Sequence, residues 1–326
     1  MSILHVYLDN IYSGKPIPIK DLLLLSSKEP LSALLSAADQ VTKNCSHSDV
    51  ELCSIVNARS GKCSENCAFC AQSVHWNTSC NVTPLISEEE VLRAAKYYEK
   101  LGVHRFSLVT SGRGLSDSDL EHLCRIYQRL SKETSLKLCG SHGLITERQA
   151  KKLAQAGLTR YHCNLETSPR FFPSICTTHS IEDKLKSLSF ARSAHLELCS
   201  GGIIGLGESL RDRLEMASLA ADIGVSSFPL NILSPIEGTP FAKNPLLNQD
   251  EILLTGALIR FLLPQATIRY AGGRKALGTK VFLGLRGGIN GLLTGDYLTT
   301  AGESVESDMK MLQDSALKIR SHDLNI

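Results

Sequence analysis

Three cysteines offer the most specific chemistry in this chain. Cys63, Cys67 and Cys70 stand in the run Cys63-Ser-Glu-Asn-Cys67-Ala-Phe-Cys70, a C-x3-C-x2-C spacing just after an apolar, β-branched segment. Three thiolates in one loop can hold three irons of a [4Fe–4S] cube and leave the fourth iron without a protein ligand. An open metal position is where a small molecule can coordinate and react, whereas a structural site fills every position with protein. Zinc is the other reading of this spacing, since His75 and Cys80 lie near enough in sequence to supply a fourth ligand. Eleven cysteines in 326 residues is a high count, and in a chain of this size it points to metal or redox chemistry.

A reactive loop needs a scaffold, and the rest of the chain alternates between two periodicities. Strand candidates fall at 53–57, 105–110, 136–139, 159–165, 196–200, 226–231, 267–270 and 291–294. Between them lie helical patterns at 88–100, 117–130, 147–156, 181–194, 210–223 and 250–263. In the first of these, Val91, Ala94, Ala95 and Tyr98 share a face, and Ser87 stands as N-cap before Glu88, Glu89 and Glu90. Gly102, Gly157 and Gly224 follow helices where left-handed caps are expected. Eight strand–helix units over about 245 residues predict a (β/α)8 TIM-type barrel of the α/β class. An open doubly wound sheet is the competing topology, but no G-x-G-x-x-G follows the first strand. The expected division is an N-terminal helical extension over 1–50, the barrel over 51–302, and a last helix and frayed tail over 303–326.

Composition narrows the function classes. The formal net charge is +2 and no basic block stands out, so no nucleic-acid partner is expected. No apolar run approaches the ~20 residues of a membrane span. The short Leu22-Leu-Leu-Leu25 run follows Asp21 and does not read as a signal peptide, so the expected location is the cytoplasm.

The C-x3-C-x2-C loop with aromatic Phe69 before its last cysteine resembles the signature of radical S-adenosylmethionine enzymes, and further segments narrow the likeness. These are Asn57-Ala-Arg-Ser-Gly-Lys-Cys63, Cys70-Ala-Gln-Ser73, Tyr161-His-Cys-Asn-Leu-Glu-Thr-Ser168, Cys199-Ser-Gly-Gly-Ile-Ile-Gly-Leu-Gly-Glu208, Pro229-Leu-Asn-Ile-Leu233 with Glu237-Gly-Thr-Pro240, Ile268-Arg-Tyr-Ala-Gly-Gly-Arg274 and Gly295-Asp-Tyr-Leu-Thr-Thr-Ala-Gly302. In order and spacing they resemble the biotin synthase family. The resemblance implies an enzyme, a radical sulfurtransferase that inserts sulfur between two unactivated carbons of dethiobiotin in the last step of biotin biosynthesis. Such C–H bonds resist acid–base chemistry. The implied agent is therefore a 5′-deoxyadenosyl radical, and no catalytic acid or base is expected.

Carried over by position, the resemblance implies that Cys63, Cys67 and Cys70 ligate the cube. It assigns Phe69, Asn164, Glu166, Lys184, Gly205 and Glu208 to S-adenosylmethionine, and His162, Asn164 and Asn231 to the substrate. Glu166 and Lys184 depart from the Asp and Arg of familiar members; lysine keeps the charge but loses the bidentate fork. Asn164 and Asn231 have a plainer reading as amides that satisfy backbone at strand ends. An auxiliary iron–sulfur cluster is implied deeper in the barrel, [2Fe–2S] or an altered type, with Cys139, Cys199 and Arg269 at three of its positions. Ser107 stands where the family has a further cysteine, and a serine oxygen is a weaker iron ligand. Cys163, on a neighbouring strand, is the candidate replacement, with a small buried hydrophobe as its other reading. Cys45, Cys53, Cys80, Cys124 and Cys176 match no motif and read as structural or incidental. The family further implies a homodimer and an electron donor such as flavodoxin or ferredoxin. Among other functions, a hydrogenase-cofactor maturase shares the cluster loop, while a lipoyl synthase would need an additional N-terminal cysteine triplet.

Overall fold

In the computed structural model the described residues are 3–296, 298 and 302–320. Three helices open the chain: α1 (Ile3–Tyr12), α2 (Ile19–Lys28) and α3 (Leu31–Cys45). Strands and helices then alternate as β1 (Glu51–Arg59), α4 (Glu88–Lys100), β2 (Arg105–Thr110), α5 (Asp117–Glu133), β3 (Lys137–Ser141), α6 (Glu147–Gln155), β4 (Arg160–His162) and α7 (Ile181–Ser193). There follow β5 (Glu197–Cys199), β6 (Gly202–Ile204), α8 (Leu210–Asp222), β7 (Ser227–Ile232), α9 (Gln249–Leu262), β8 (Thr267–Tyr270), α10 (Val281–Leu285), β9 (Gly291–Leu293) and α11 (Val305–Asp314).

All named strand pairs are parallel. The order runs β5-β4-β3-β2-β1-β9-β8-β7-β6, and a Cys199–Ser227 pairing between β5 and β7 closes the ring. β5 and β6 are two pieces of one stave, so the sheet is an eight-staved TIM-type barrel. The stave breaks at Ser200 and Gly201, alongside Pro229 of β7. Proline has no N–H for the ladder, and the two backbones crowd together there: a Cβ on Gly201 would run into the Pro229 carbonyl oxygen. Sequence reading ends this strand at Ser200, because the second half is too short and glycine-rich to show an alternating pattern.

The helices pack against the sheet because their apolar stripes match. Leu120, Leu123, Ile126, Tyr127 and Leu130 of α5 are buried in a core shared with Phe106 and Leu108 of β2. Capping boxes fix the starts of α4 at Ser87/Glu90, α6 at Thr146/Gln149, α7 at Ser180/Asp183 and α8 at Ser209/Asp212. Residues 3–45 add a second apolar cluster in which Leu22, Leu25, Leu34 and Val41 meet Leu214, Leu258 and Phe261 of α8 and α9. Of the 295–302 segment, residues 297 and 299–301 lie outside the described residues, as do 321–326, where the sequence reads as a frayed end.

Candidate functional site

The loop after β1 is held by its own backbone. Cys63 N–H donates to the Gln72 carbonyl at 2.9 Å, and Val74 N–H returns to the Cys63 carbonyl at 2.9 Å. Trp76 Nε1–H donates to the Cys67 carbonyl at 2.9 Å, and Ser73 Oγ–H to the Glu65 carbonyl at 2.6 Å. The loop lies at the C-terminal end of the strands, where barrel enzymes build their sites. Cys63, Cys67, Phe69 and Cys70 line a cavity of about 390 Å³ with His162, Cys163, Asn164, Glu166, Lys184 and Asn231. The three loop sulfurs do not close to the distance at which one mononuclear ion gathers its ligands. Burial pushes the Cys70 thiol up to about 11, so a bound metal must supply the charge that keeps this sulfur a thiolate.

Opposite the loop, the ends of β4 and β6 place a polar trio. Glu166 takes a left-handed backbone, φ 71°, unusual outside glycine and a common mark of ligand sites. Its carbonyl accepts from Ile203 N–H at 2.8 Å and its N–H donates to Gly201 O at 3.1 Å, which fixes the strained turn. Asn164 Nδ2 donates to the Glu166 carboxylate at 3.2 Å, and Asn164 Oδ1 accepts from Gly201 N–H at 3.1 Å. Lys184 comes from α7 and puts its ammonium 3.8 Å from Glu166 and 5.8 Å from the Phe172 ring centre. Burial works against its charge, but Cys163, Glu166 and Cys67 outweigh that and raise its pKa. Asn231 of β7 donates to Gly202 O at 3.1 Å and accepts from Gly272 N–H at 2.9 Å, leaving one amide N–H free to turn to the cavity. Burial drops the His162 ring to about 4, so it is neutral at pH 7; its Nδ1 lies 3.3 Å from Cys199 Sγ.

Two residues assigned to S-adenosylmethionine do not line this cavity. Glu208 accepts from Gly205 N–H at 2.9 Å, Leu206 N–H at 2.6 Å and Arg213 Nε at 2.5 Å. It is a buried strut that shapes the turn at Gly205, φ 96°, rather than a wall of the cavity.

Below the cavity, inward residues of the staves form a charged floor. Glu51 of β1 receives Arg269 at 2.5 Å, Arg105 at 3.1 Å and Arg160 at 3.4 Å; Glu197 receives Arg160 at 2.6 Å and Arg105 at 3.0 Å. Burial alone would push the Glu51 carboxyl up, but Arg269, Arg160 and Arg105 hold it well below the usual range. Arg269 spends one terminal nitrogen on Glu51 and Ser227, while its Nε and other terminal nitrogen are buried with no partner. Such orphaned donors are rare unless an acceptor is missing. Around them stand buried thiols. The charges that act on Cys53 are Arg269, Cys139, Glu51 and Cys199, and burial pushes its thiol up to about 12.

Cys53 stands among the charged groups and thiols of this floor, a position for which the sequence reading offered Cys163. The charges that act on Cys163 are Lys184 and Glu166, at the polar trio, where its buried side chain lines the cavity. The reason is strand parity. His162, one residue earlier, points inward to Cys199, so the next side chain faces away from that layer. Ser107 is buried on β2, level with Cys139 and Ile55, and offers only a hydroxyl. The alternation Glu51, Cys53, Ile55 along β1 is the signal that would have identified Cys53, because Glu51 is an inward anchor and Ile55 lines the cavity.

Residues 58–220 match the Radical SAM superfamily, and residues 229–318 match the Biotin and Thiamin Synthesis associated domain. The biotin synthase of Pelotomaculum thermopropionicum is 49% identical over 312 residues, covering 95% of this chain and 97% of that one. The biotin synthase of Akkermansia muciniphila is 42% identical, covering 98% and 99%. Among solved structures, a methylornithine synthase superposes with TM-score 0.82 at 19% identity, covering 97% of this chain and 98% of that chain. A hydrogenase maturase from Carboxydothermus hydrogenoformans gives TM-score 0.79 at 16% identity, covering 96% and 78%. At those identities the two structures speak for the fold alone.

Proposed function

This chain belongs to the biotin synthase family of radical S-adenosylmethionine enzymes, and from that premise we propose how its residues share the work of making biotin from dethiobiotin. The enzyme uses a [4Fe–4S] cluster and S-adenosylmethionine. Bound together these supply a carbon radical that removes hydrogen from an unactivated C–H bond, and an auxiliary cluster supplies the sulfur. Everything else falls to the protein: to bind, to orient and to exclude water.

Cys63, Cys67 and Cys70 hold the cube in this reading. Lys184 meets the carboxylate of S-adenosylmethionine, while Glu166 and Asn164 take its ribose hydroxyls. Phe69 closes the mouth beside the loop. Asn231 reads the ureido ring of dethiobiotin with the donor it has left, and neutral His162 packs against the same substrate. Glu208 acts one step back, by holding the Gly205 turn. Below, Cys53, Cys139 and Cys199 face Arg269, and its two partnerless nitrogens suit the sulfur atoms of a cluster. Those orphaned donors, between buried thiols and over an ion-paired floor, are the observation that carries the assignment. The cluster is of an altered type, because the second-strand ligand is a serine and a first-strand thiol replaces it. A flavodoxin or ferredoxin supplies single electrons in this reading, a homodimer is the assembled form, and the cytoplasm is where it works.

The test is an anaerobic assay with reconstituted protein, S-adenosylmethionine, a reductant and dethiobiotin. Biotin and 5′-deoxyadenosine should form together in the wild type, and neither in Cys67→Ala. 5′-Deoxyadenosine without biotin, from protein shown to hold both clusters, would contradict dethiobiotin as the substrate.

A further inference from the structure

One cluster of metal-type ligands is left over once the cube and the floor are assigned. After a 3-10 turn (Phe172–Ser174), the chain is stapled to the cluster loop. Ala68 N–H donates to Ile175 O at 2.8 Å, and Asn66 Oδ1 accepts from Thr177 N–H at 2.9 Å and Thr178 N–H at 3.2 Å. The staple brings Cys176 Sγ to 3.8 Å from Cys67 Sγ. The His179 ring lies edge to this sulfur, with Nδ1 3.3 Å and Nε2 3.8 Å from Cys176 Sγ. Cys67, Cys176 and His179 are the one group among the described residues with three metal-type donors mutually within 4.8 Å.

The spacing has a chemical meaning. Two thiolates bound at ~2.3 Å to a tetrahedral ion sit about 3.8 Å apart. The other imidazole nitrogen is also provided for: Glu65 Oε2 lies 2.5 Å from His179 Nδ1. A carboxylate behind a histidine fixes the tautomer that turns Nε2 toward a metal, and raises its basicity. The Phe172 ring, edge-on at 5.7 Å between centres, holds the imidazole in place. Two sulfurs and one imidazole are a soft donor set, suited to zinc or ferrous iron, with one position left for water.

We propose that, before the cube is built, Cys67, Cys176 and His179 bind a single thiophilic divalent cation. The proposal rests on the reading of Cys67 as a cube ligand for its consequence. One sulfur cannot serve both centres in these two geometries, so the cation must leave as the cube forms. The cluster-free loop is then kept in shape by the ion, and zinc competes with cube assembly.

The test uses metal-free, full-length protein under anaerobic conditions with cobalt(II) as probe. Wild type should bind one cobalt with thiolate charge-transfer absorption and tetrahedral d–d bands. The Cys63→Ser/Cys70→Ser double variant should keep both features. Cys176→Ala should lose them, with folding checked by circular dichroism and Cys176→Ser as the conservative partner. Glu65→Gln should weaken binding about 10–100-fold. Iron and sulfide added to cobalt-loaded wild type should release cobalt as cube absorbance grows. Failure of wild type to bind cobalt overturns the proposal. So does binding that survives Cys176→Ala and disappears in the Cys63/Cys70 variant, which would put the ion in the loop triad. If Cys67→Ser still assembled a cube while the cobalt arms held, the site would stand and the cube assignment of Cys67 would fall.

Discussion

At the scale of single residues, the account turns on charges and thiols withdrawn from water. Glu51 is the plainest case. It is buried against Arg269, Arg160 and Arg105, and its carboxyl titrates well below the ordinary range in the folded protein. A depressed carboxyl stabilises the fold at full strength above its unfolded value of about 4.5, and that contribution fades as pH falls toward the lower folded value. Glu51→Gln should therefore destabilise the protein near neutrality, by about 3–5 kcal/mol, because three guanidinium groups lose their buried counter-charge. Denaturant titration across pH should show the gap to wild type closing below pH about 4.5; a gap that does not change with pH would show that Glu51 contributes no charge pairing. Lys184 offers a second test. Lys184→Met keeps length and apolar packing, so the fold should survive while KM for S-adenosylmethionine rises at least tenfold; an unchanged KM would remove Lys184 from the binding set. The thiols mark the limits of reading sequence. Cys63, Cys67 and Cys70 are legible because three ligands sit on one loop. Cys53 and Arg269 meet only through the closed barrel, 216 positions apart by their residue numbers, and nothing local joins them.

Elements carry those residues to their places, and here the sequence was more readable. The bounds of β2, β8 and α4 coincide with the expected 105–110, 267–270 and 88–100, because clean alternation or a capped 3.6 period marks both ends. β4 is shorter than the expected 159–165. Its apolar pattern continues past His162, but the chain bends at Asn164–Glu166 to present the polar trio, and hydrophobic patterning cannot report a bend made for a ligand. The β5/β6 break has the same origin. Two predictions follow from elements. Ser180→Ala removes the α7 cap, whose side chain accepts from Asp183 N–H, and should cost about 1 kcal/mol of stability in denaturant unfolding. Because α7 delivers Lys184, KM for S-adenosylmethionine should rise in parallel; a stability loss with KM unchanged would detach the helix end from the site. Gly201→Ala forces β5 and β7 apart at the break, and soluble yield should collapse. An alanine variant as stable as wild type would refute the close approach.

Across the whole molecule, the barrel stacks three layers along one axis. An ion-paired floor seals the N-terminal end of the strands, buried thiols stand above it, and the cavity opens beneath the cysteine loop. Helices α1–α3 thicken the wall behind α8 and α9, away from the mouth. Among the described residues no helix is long and apolar enough to cross a membrane. In the proposed reading, substrate would lie between these two layers, with the cube and S-adenosylmethionine held above it and the sulfur-supplying centre below. The central claim is that the sulfur comes from a centre held by Cys53, Cys139 and Cys199 beside Arg269. Its most direct test is isotopic. Protein reconstituted with iron and ³⁴S-labelled sulfide would be given S-adenosylmethionine, dethiobiotin and a reductant in a single turnover. Mass spectrometry would follow the label, and deoxyadenosine would be counted in the same sample. Wild type and Cys163→Ala should yield labelled biotin, while Cys53→Ala should yield deoxyadenosine with no biotin and iron reduced toward that of a lone cube. Labelled biotin from Cys53→Ala at the wild-type level would contradict the account.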